Sequence, residues 1–390
     1  MATLVGMDWK PHAERLAEHV THPTSRWRPV IAAIPRHQFV PRWWTHDQLA
    51  PGPYGSGVWE LHIGPHDPDA WATAAYGDRS RVTRVGARHA DDARPGDRAT
   101  GAPTSSATLP SLIVSMFQHA RIPDGAHVLD VGTGSGYGTA VLATRLGDDR
   151  VTSIDVDPYL TAAAEDRLDR AGLRPRLLTG DATGPLDGQW DRIIATVSVR
   201  PVPASWLAAL RPGGRLVTSI AGTGLLLTAD RTSDGGAAGR IEWDRAGFMT
   251  TRTGPDYPAE VIAQIEHART AEGDHITPGR FPVINVMDAW ELWSMLGVSV
   301  PGVEHDYREA CGTRTAIMAH PDGSWARAVE NSHGAVTVHQ TGPTPLWDLL
   351  DDIRARWLRE GSLPVHGARA RITPDGAIHL QRGHWTNTIT

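Results

Sequence analysis

The chain has 390 residues, long enough for two domains with sizeable cores, and 38 Lys and Arg against 44 Asp and Glu leave a net charge of −6. That balance excludes the broad electrostatic attraction on which non-specific nucleic-acid binding depends, and a single cysteine, Cys311, excludes an internal disulfide or a multi-cysteine zinc site. No apolar run approaches membrane-spanning length, and the first ten residues lack a basic region followed by an apolar core, so the expectation is an unexported cytoplasmic chain with no membrane or nucleic-acid partner.

Residues 8–35 alternate helix and turn signals, with Leu16, Val20, Val30, Ile31 and Ile34 as buried candidates, and lead into Ile34-Pro-Arg-His-Gln-Phe-Val-Pro41. From there to Gly101 the chain is rich in Gly, Pro, Asp and Arg and carries Trp43, Trp44, Trp59 and Trp71. Arg88 to Ala102 has no apolar period and reads as a mobile loop. His62 and His66 stand among Gly, Pro and Asp, and no metal is expected. Thr104-Ser-Ser-Ala107 follows, then Leu109, Leu112, Ile113, Met116 and Phe117 at helical spacing.

Val128-Leu-Asp-Val-Gly-Thr-Gly-Ser-Gly-Tyr137 is an apolar run that passes through an acid into a loop with alternate glycines. Such a loop turns sharply, lets backbone approach a ligand, and opens a helix whose free N–H groups can hold a carboxylate. A dinucleotide fingerprint puts its third glycine three positions after the second; here it comes two after, which favours S-adenosylmethionine over NAD. Asp130, Gly132, Thr133, Gly134, Ser135 and Gly136 are the first expected cofactor contacts. Val151-Thr-Ser-Ile-Asp155 is a second strand ending in an acid about 25 residues on, the distance at which Asp155, with Val156 beside it, meets a ribose hydroxyl pair. Leu177-Leu-Thr-Gly-Asp-Ala182 is a third; Asp181 reads either as the acceptor for an adenine amino group, with Ala182 next to it, or as a solvated turn aspartate. Trp190 to Thr196 gives a fourth strand, with Thr196 on the cofactor side and Val197 and Ser198 on the substrate side. Leu210 to Val217 gives a fifth through a proline-glycine turn.

Further on, Asp230 to Gly239 reads as a turn or flexible excursion between strands. The spacing predicts a helix over Asn285 to Leu296, a meander of strands over Thr313 to His320, Ser324 to Glu330 and Ala335 to Gln340, and a helix from Leu346 to Leu358 capped by Thr344 with Pro345 in its first turn. A hairpin around Pro374-Asp-Gly376 closes the chain. The predicted fold is α/β, a Rossmann-like S-adenosylmethionine-dependent methyltransferase core over 106–250. An N-terminal helical segment with an inserted loop region occupies 1–105, and a C-terminal α+β domain for peptide recognition occupies 255–390.

Taken in order, the Phe-Val-Pro box at 39–41, Ser106-Ala107, the glycine loop and Gly180-Asp-Ala182 resemble protein-L-isoaspartate O-methyltransferases over the first 225 residues or so. The resemblance implies S-adenosyl-L-methionine as cofactor, S-adenosyl-L-homocysteine as product, and Ser106 as the serine that contacts the substrate carboxylate. Ser105 and Thr108 are its neighbours on the substrate side, Ser105 could take the role, and Ser106 could instead cap the helix that follows. The chain departs from that family in having Thr108-Leu109 after Ser-Ala where Pro-His is usual, a longer segment before Ser106, and everything after residue 250. In these respects it looks like the actinobacterial methyltransferases associated with lanthipeptides and graspetides. There the partner is a modified precursor peptide, and a methylated aspartate collapses to a succinimide that persists or hydrolyses to isoaspartate. Repair of isoaspartate in damaged proteins, a nicotinamide-dependent oxidoreductase, and a binding module on a degraded catalytic domain are the other readings.

Overall fold

The computed structural model describes residues 8–47, 57–251 and 259–390; residues 1–7, read above for export signals, and the division expected at residue 255 lie outside the described residues. A ten-stranded sheet holds, in spatial order, Arg176–Thr179, Val151–Asp155, Val128–Val131, Trp190–Val199, Leu210–Ile220, Leu225–Arg231, Ala237–Arg245, Arg369–Ile372, Ile378–Arg382 and Trp385–Ile389. The first five are parallel and the others antiparallel. Val128–Val131 is buried at every residue, as an interior parallel strand must be. Successive residues serve opposite cores: Ile194 and Val217 pack with Trp27 and Phe117 on one face, Ile193 and Leu216 with Trp206 and Leu207 on the other. Strand order reverses at Val128–Val131, with the second strand on one side and the fourth on the other, which opens a crevice at the carboxyl ends. This is the expected Rossmann-like α/β architecture.

The stretch from Arg88 to Ala102 is not the loop its composition suggests. Arg88–His89 pairs with Arg81–Val85, and Arg98–Thr100 with Val58–Ile63, inside a second sheet completed by Arg42–His46 and Pro103–Ala107. Strands of two and three residues are too short for a period of two to register in sequence. Their burial is real nonetheless: Ala90, Ala93 and Ala99 pack against Trp44 and Val85. This stretch also pins the second sheet to the core helix Pro158–Arg170. Asp91 accepts from the Arg167 guanidinium and, at 3.0 Å, from the Tyr159 hydroxyl, while His89 Nε2 lies 3.1 Å from Asp157 Oδ2.

A third, antiparallel sheet runs His275–Pro278, Val336–Thr341, Trp325–Glu330, Thr313–Ala319, Glu304–Ala310. Its three central strands are those the alternation predicts. The two edge strands bury no residue fully, so they carry no apolar alternation to read. The helix expected at 285–296 runs Trp290–Ser299. Thr344 does not cap Leu346–Arg359: its hydroxyl donates to Asp322 at 2.6 Å, Pro345 stands at the N-cap, and Gln340 Oε1 accepts from Trp347 N at 2.9 Å. Leu358, the last residue of the helix that the spacing predicts, is 48% exposed.

The closing hairpin is not part of a separate C-terminal unit. Arg369–Ile372 adds to the edge of Ala237–Arg245, and Ile372, Ile378 and Leu380 enter the core that holds Leu227 and Ile241. The sheets therefore divide the chain differently from the expected boundary at 255, because the open edge of one strand is completed by residues more than a hundred positions later. Asp230 to Gly239 spans the turn between Leu225–Arg231 and Ala237–Arg245, with Thr232 N donating to Gly236 O at 2.9 Å.

Candidate active site

The crevice at the strand ends opens into a cleft bordered by the glycine loop, Asp155 and the serine strand. Its floor is the glycine loop. Gly132 has φ +94°, and a Cβ there would stand 2.9 Å from Val197 Cγ1 and 3.0 Å from Thr196 Oγ1, so any other residue would be strained in its backbone and would have to displace those two side chains. Gly136, at φ +87°, is the N-cap of Tyr137–Leu146 and lies against Ala164 of the neighbouring helix. The loop is held from two sides: Thr196 Oγ1 donates to Gly132 O at 2.9 Å, and Gly134 N donates to Asp155 Oδ2 at 2.9 Å.

Asp155 ends its strand at the cleft rim, where its other oxygen accepts from Asp157 N at 3.1 Å. Val156 beside it is 49% exposed. Asp181 and Ala182 line the same wall. Asp181 Oδ1 accepts from Thr183 N at 2.8 Å and Thr183 Oγ1 at 2.7 Å, the turn arrangement that was the alternative reading of this residue, yet it still borders the cleft.

Opposite lies the second sheet. Strand Pro103–Ala107 brings Ser105 and Ser106 to the cleft, with Thr108 just beyond. Ser106 is in a strand and caps no helix; Leu109 occupies the N-cap of Pro110–His119. The Ser105 hydroxyl is buried and accepts from Thr83 Oγ1 at 3.0 Å, whereas Ser106 is half-buried. The Phe-Val-Pro box supports this wall from behind. Phe39 and Val40 are fully buried, and the buried Arg36 donates to the carbonyls of Ala75 and, at 3.1 Å, Thr108 while its guanidinium lies 5.2 Å from the Tyr137 ring. Burial pushes Arg36 down to about 10.

Five of the expected residues do not line the cleft: Asp130, Thr133, Ser135, Gly136 and Ser198. Asp130 is 2% exposed and lies beneath the loop, where Oδ2 accepts from Thr139 Oγ1 at 2.7 Å and Ser153 Oγ at 2.9 Å; burial pushes its carboxyl up to about 6. Thr133 Oγ1 bonds Ser153 Oγ at 2.7 Å, and Ser135 Oγ faces Tyr137 N at 3.4 Å. Ser198 points away from the cleft to Ser219 Oγ at 2.6 Å and donates to Phe248 O at 2.9 Å. Through Ser198 N to Met249 O and Thr251 N to Ser198 O, both 2.9 Å, it fastens residues 248–251 to the sheet. Those four residues form a wall that sequence reasoning missed, as it missed Arg84, Asp157 and Leu160. Asp157 carried a signal, since an acid before Pro158 is a helix N-cap, and it accepts from Tyr159 N at 2.9 Å. Arg84 carried none among so many arginines.

This sheet, with a glycine loop at its switch point, has the Rossmann-like fold of S-adenosylmethionine-dependent methyltransferases. Residues 97–243 match the family described as Protein-L-isoaspartate(D-aspartate) O-methyltransferase (PCMT). A protein-L-isoaspartate O-methyltransferase of Anaeromyxobacter dehalogenans is 33% identical over 168 residues, 42% of this chain and 78% of that one. Another, from an Anaeromyxobacter species, is 38% identical over 133 residues, 32% of this chain and 62% of its own length. A putative protein-L-isoaspartate O-methyltransferase from Plasmodium falciparum, solved in complex with S-adenosyl-L-homocysteine, aligns over 64% of this chain and 100% of that one with a TM-score of 0.42 and 15% identity. The chain belongs to the protein-L-isoaspartate O-methyltransferase family. It spans 62%, 53% and 59% of the lengths of three such relatives.

Proposed function

We propose that this chain is an S-adenosylmethionine-dependent carboxyl O-methyltransferase, acting on an aspartate side chain in a cyclised ribosomal peptide of the lanthipeptide kind, with the same chemistry on a graspetide as an alternative. The observation that carries the reading is the facing of two walls: the glycine loop and Asp155 on one side, Ser105, Ser106 and Thr108 on the other. The residues present suit the cofactor. A carboxylate at the end of the second strand suits a ribose hydroxyl pair, and the side-chain-free backbone at Gly132 and Gly134 suits close approach of a ligand. When bound, S-adenosyl-L-methionine supplies the methyl group and leaves as S-adenosyl-L-homocysteine.

What the chain must do is position. An aspartyl carboxylate is ionised near neutral pH and is itself the nucleophile, so no strong general base is called for. Ser106 would donate to one carboxylate oxygen and leave the other aimed at the methyl group, while the inserted sheet and residues 248–251 keep water from the approach. The resulting ester is a better electrophile than a carboxylate. Attack by the next backbone nitrogen expels methanol and closes a succinimide without a group from the protein. A cyclised peptide favours that step because its rings have already removed the conformational entropy that a linear chain must lose. The rebuilt substrate wall, a six-stranded sheet whose last strand in sequence carries Ser106, supports a specialised substrate.

Repair of isoaspartate is the second reading, favoured by the names of the relatives. A panel of one linear isoaspartyl peptide, one linear aspartyl peptide and one cyclised aspartyl peptide, followed by mass over time with a hydroxylamine trap, decides between them. The cyclised peptide is expected to gain a methyl group and then fall below its starting mass by one water. Efficient methylation of the linear isoaspartyl peptide with the cyclised one untouched replaces this reading by repair.

A further inference from the structure

We infer that Arg84 is a substrate-binding residue that receives the acceptor carboxylate. The inference rests on the proposed carboxyl methyltransferase reading and adds to it a contact that neither the glycine loop nor the serine strand supplies. Arg84 lies on Arg81–Val85 of the inserted sheet, in register with Ser105 on Pro103–Ala107, and its side chain lines the cleft beside Ser105 and Ser106. Its nearest acid is only loosely engaged, since Nη1 is 3.8 Å from Asp157 Oδ2, beyond hydrogen-bond reach. Asp157 is committed elsewhere: Oδ2 faces His89 Nε2 at 3.1 Å and Oδ1 accepts from Tyr159 N at 2.9 Å. Arg84 Nε is shielded from solvent and has no hydrogen-bond partner among the described residues. The side chain as a whole is 20% exposed, so its guanidinium can meet a ligand carboxylate through a charge-assisted bond, while the unpaired Nε beneath leaves the group free to shift toward that ligand.

The direction of the effect follows from the charge balance. The carboxylate gives an electron pair to the methyl carbon as the sulfur takes back the pair of the breaking bond, so an anion and a cation become an ester and a thioether. The acceptor's negative charge is therefore greatest before transfer and fades as the new bond forms. A cation beside it holds the bound carboxylate more strongly than the transition state, so its removal falls on KM more than on kcat.

The test uses the full chain loaded with S-adenosyl-L-homocysteine. N-acetyl-L-aspartate α-methylamide is titrated in while the arginine Nε–Hε signals are followed by NMR, with the corresponding asparagine compound as the uncharged control. Arg84→Lys removes and so assigns the Arg84 signal. The signal is expected to move with the carboxylate and stay with the amide. In turnover, Arg84→Gln is expected to raise KM for the methylated peptide roughly ten- to a hundredfold, the equivalent of one lost charged contact. A signal that does not move, or moves equally with the amide, overturns the inference, as does an unchanged KM in Arg84→Gln. If Arg84→Gln lowers the melting temperature without altering carboxylate selectivity, Arg84 merely braces the sheet against Asp157, and the inference falls. If the signal responds but the wild-type protein methylates no peptide of the panel, the carboxylate site stands and the proposed reaction falls.

Discussion

The carboxylate of Asp155 accepts a hydrogen bond from the backbone N–H of Gly134 at 2.9 Å, so the acid expected to meet the ribose also holds the glycine loop in shape. Asp155→Ala therefore removes a loop restraint together with the ligand contact. Affinity for S-adenosyl-L-homocysteine should weaken by about 1.5–3 kcal/mol for each charged bond lost, with faster amide exchange at Gly134. Calorimetry returning wild-type affinity would reject the ribose assignment.

Ser105 and Ser106 separate by environment. Ser106→Ala should lower methyl transfer and spare S-adenosyl-L-homocysteine binding. Ser105→Ala strips the buried Thr83 hydroxyl of its acceptor and should cost about 1–3 kcal/mol of stability, read by denaturant unfolding. Normal turnover in Ser106→Ala with loss in Ser105→Ala would mean that the wrong hydroxyl was chosen.

Asp130 makes the ligand-free protein's stability depend on pH. Burial raises its carboxyl from 3.8 to about 6, above its unfolded value, so the stability it contributes is present at low pH and is lost as pH rises through about 6. Asp130→Asn carries no charge and can still accept from Thr139 and Ser153. Its stability relative to wild type should climb between about pH 4 and 6 and then level off, by up to about 3 kcal/mol. A pH-independent difference between the two unfolding curves would show that Asp130 is not buried as an anion.

Removing the last three strands should abolish folding. A C-terminal domain over 255–390 would be separable from the cofactor fold only if it were a separate unit, and the pairing of Arg369–Ile372 with Ala237–Arg245 ties its last strands into the central sheet. Ile372, Ile378, Leu380 and Ile389 are each 2% exposed or less, and each contributes roughly 1.5–3 kcal/mol by burial. Together these match the whole stability of a typical domain, about 5–15 kcal/mol. A chain ending at residue 367 that stays soluble and melts cooperatively at the wild-type temperature would refute this.

The sequence by itself determined the parallel core and its loop. Val128–Val131, Val151–Asp155 and Trp190–Val199 are interior strands whose apolar runs have to be buried on both faces, and the glycines at 132 and 136 mark backbone that a side chain would obstruct. Local chemistry dictates both, so both are legible locally. Tertiary structure decided the rest. Asp130 and Asp155 look alike on paper, each closing or nearly closing a strand, but only the packing of Thr139 and Ser153 against the first turns it inward. Ser198 looks like a substrate residue until the chain returns at 248–251 to occupy its hydrogen bonds. The short strands around Asp91, and the closing hairpin beside Ala237–Arg245, are held by partners far along the chain. Pairing of that kind leaves no local period to read, because the free energy that fixes these segments comes from the surface they meet and not from their own sequence.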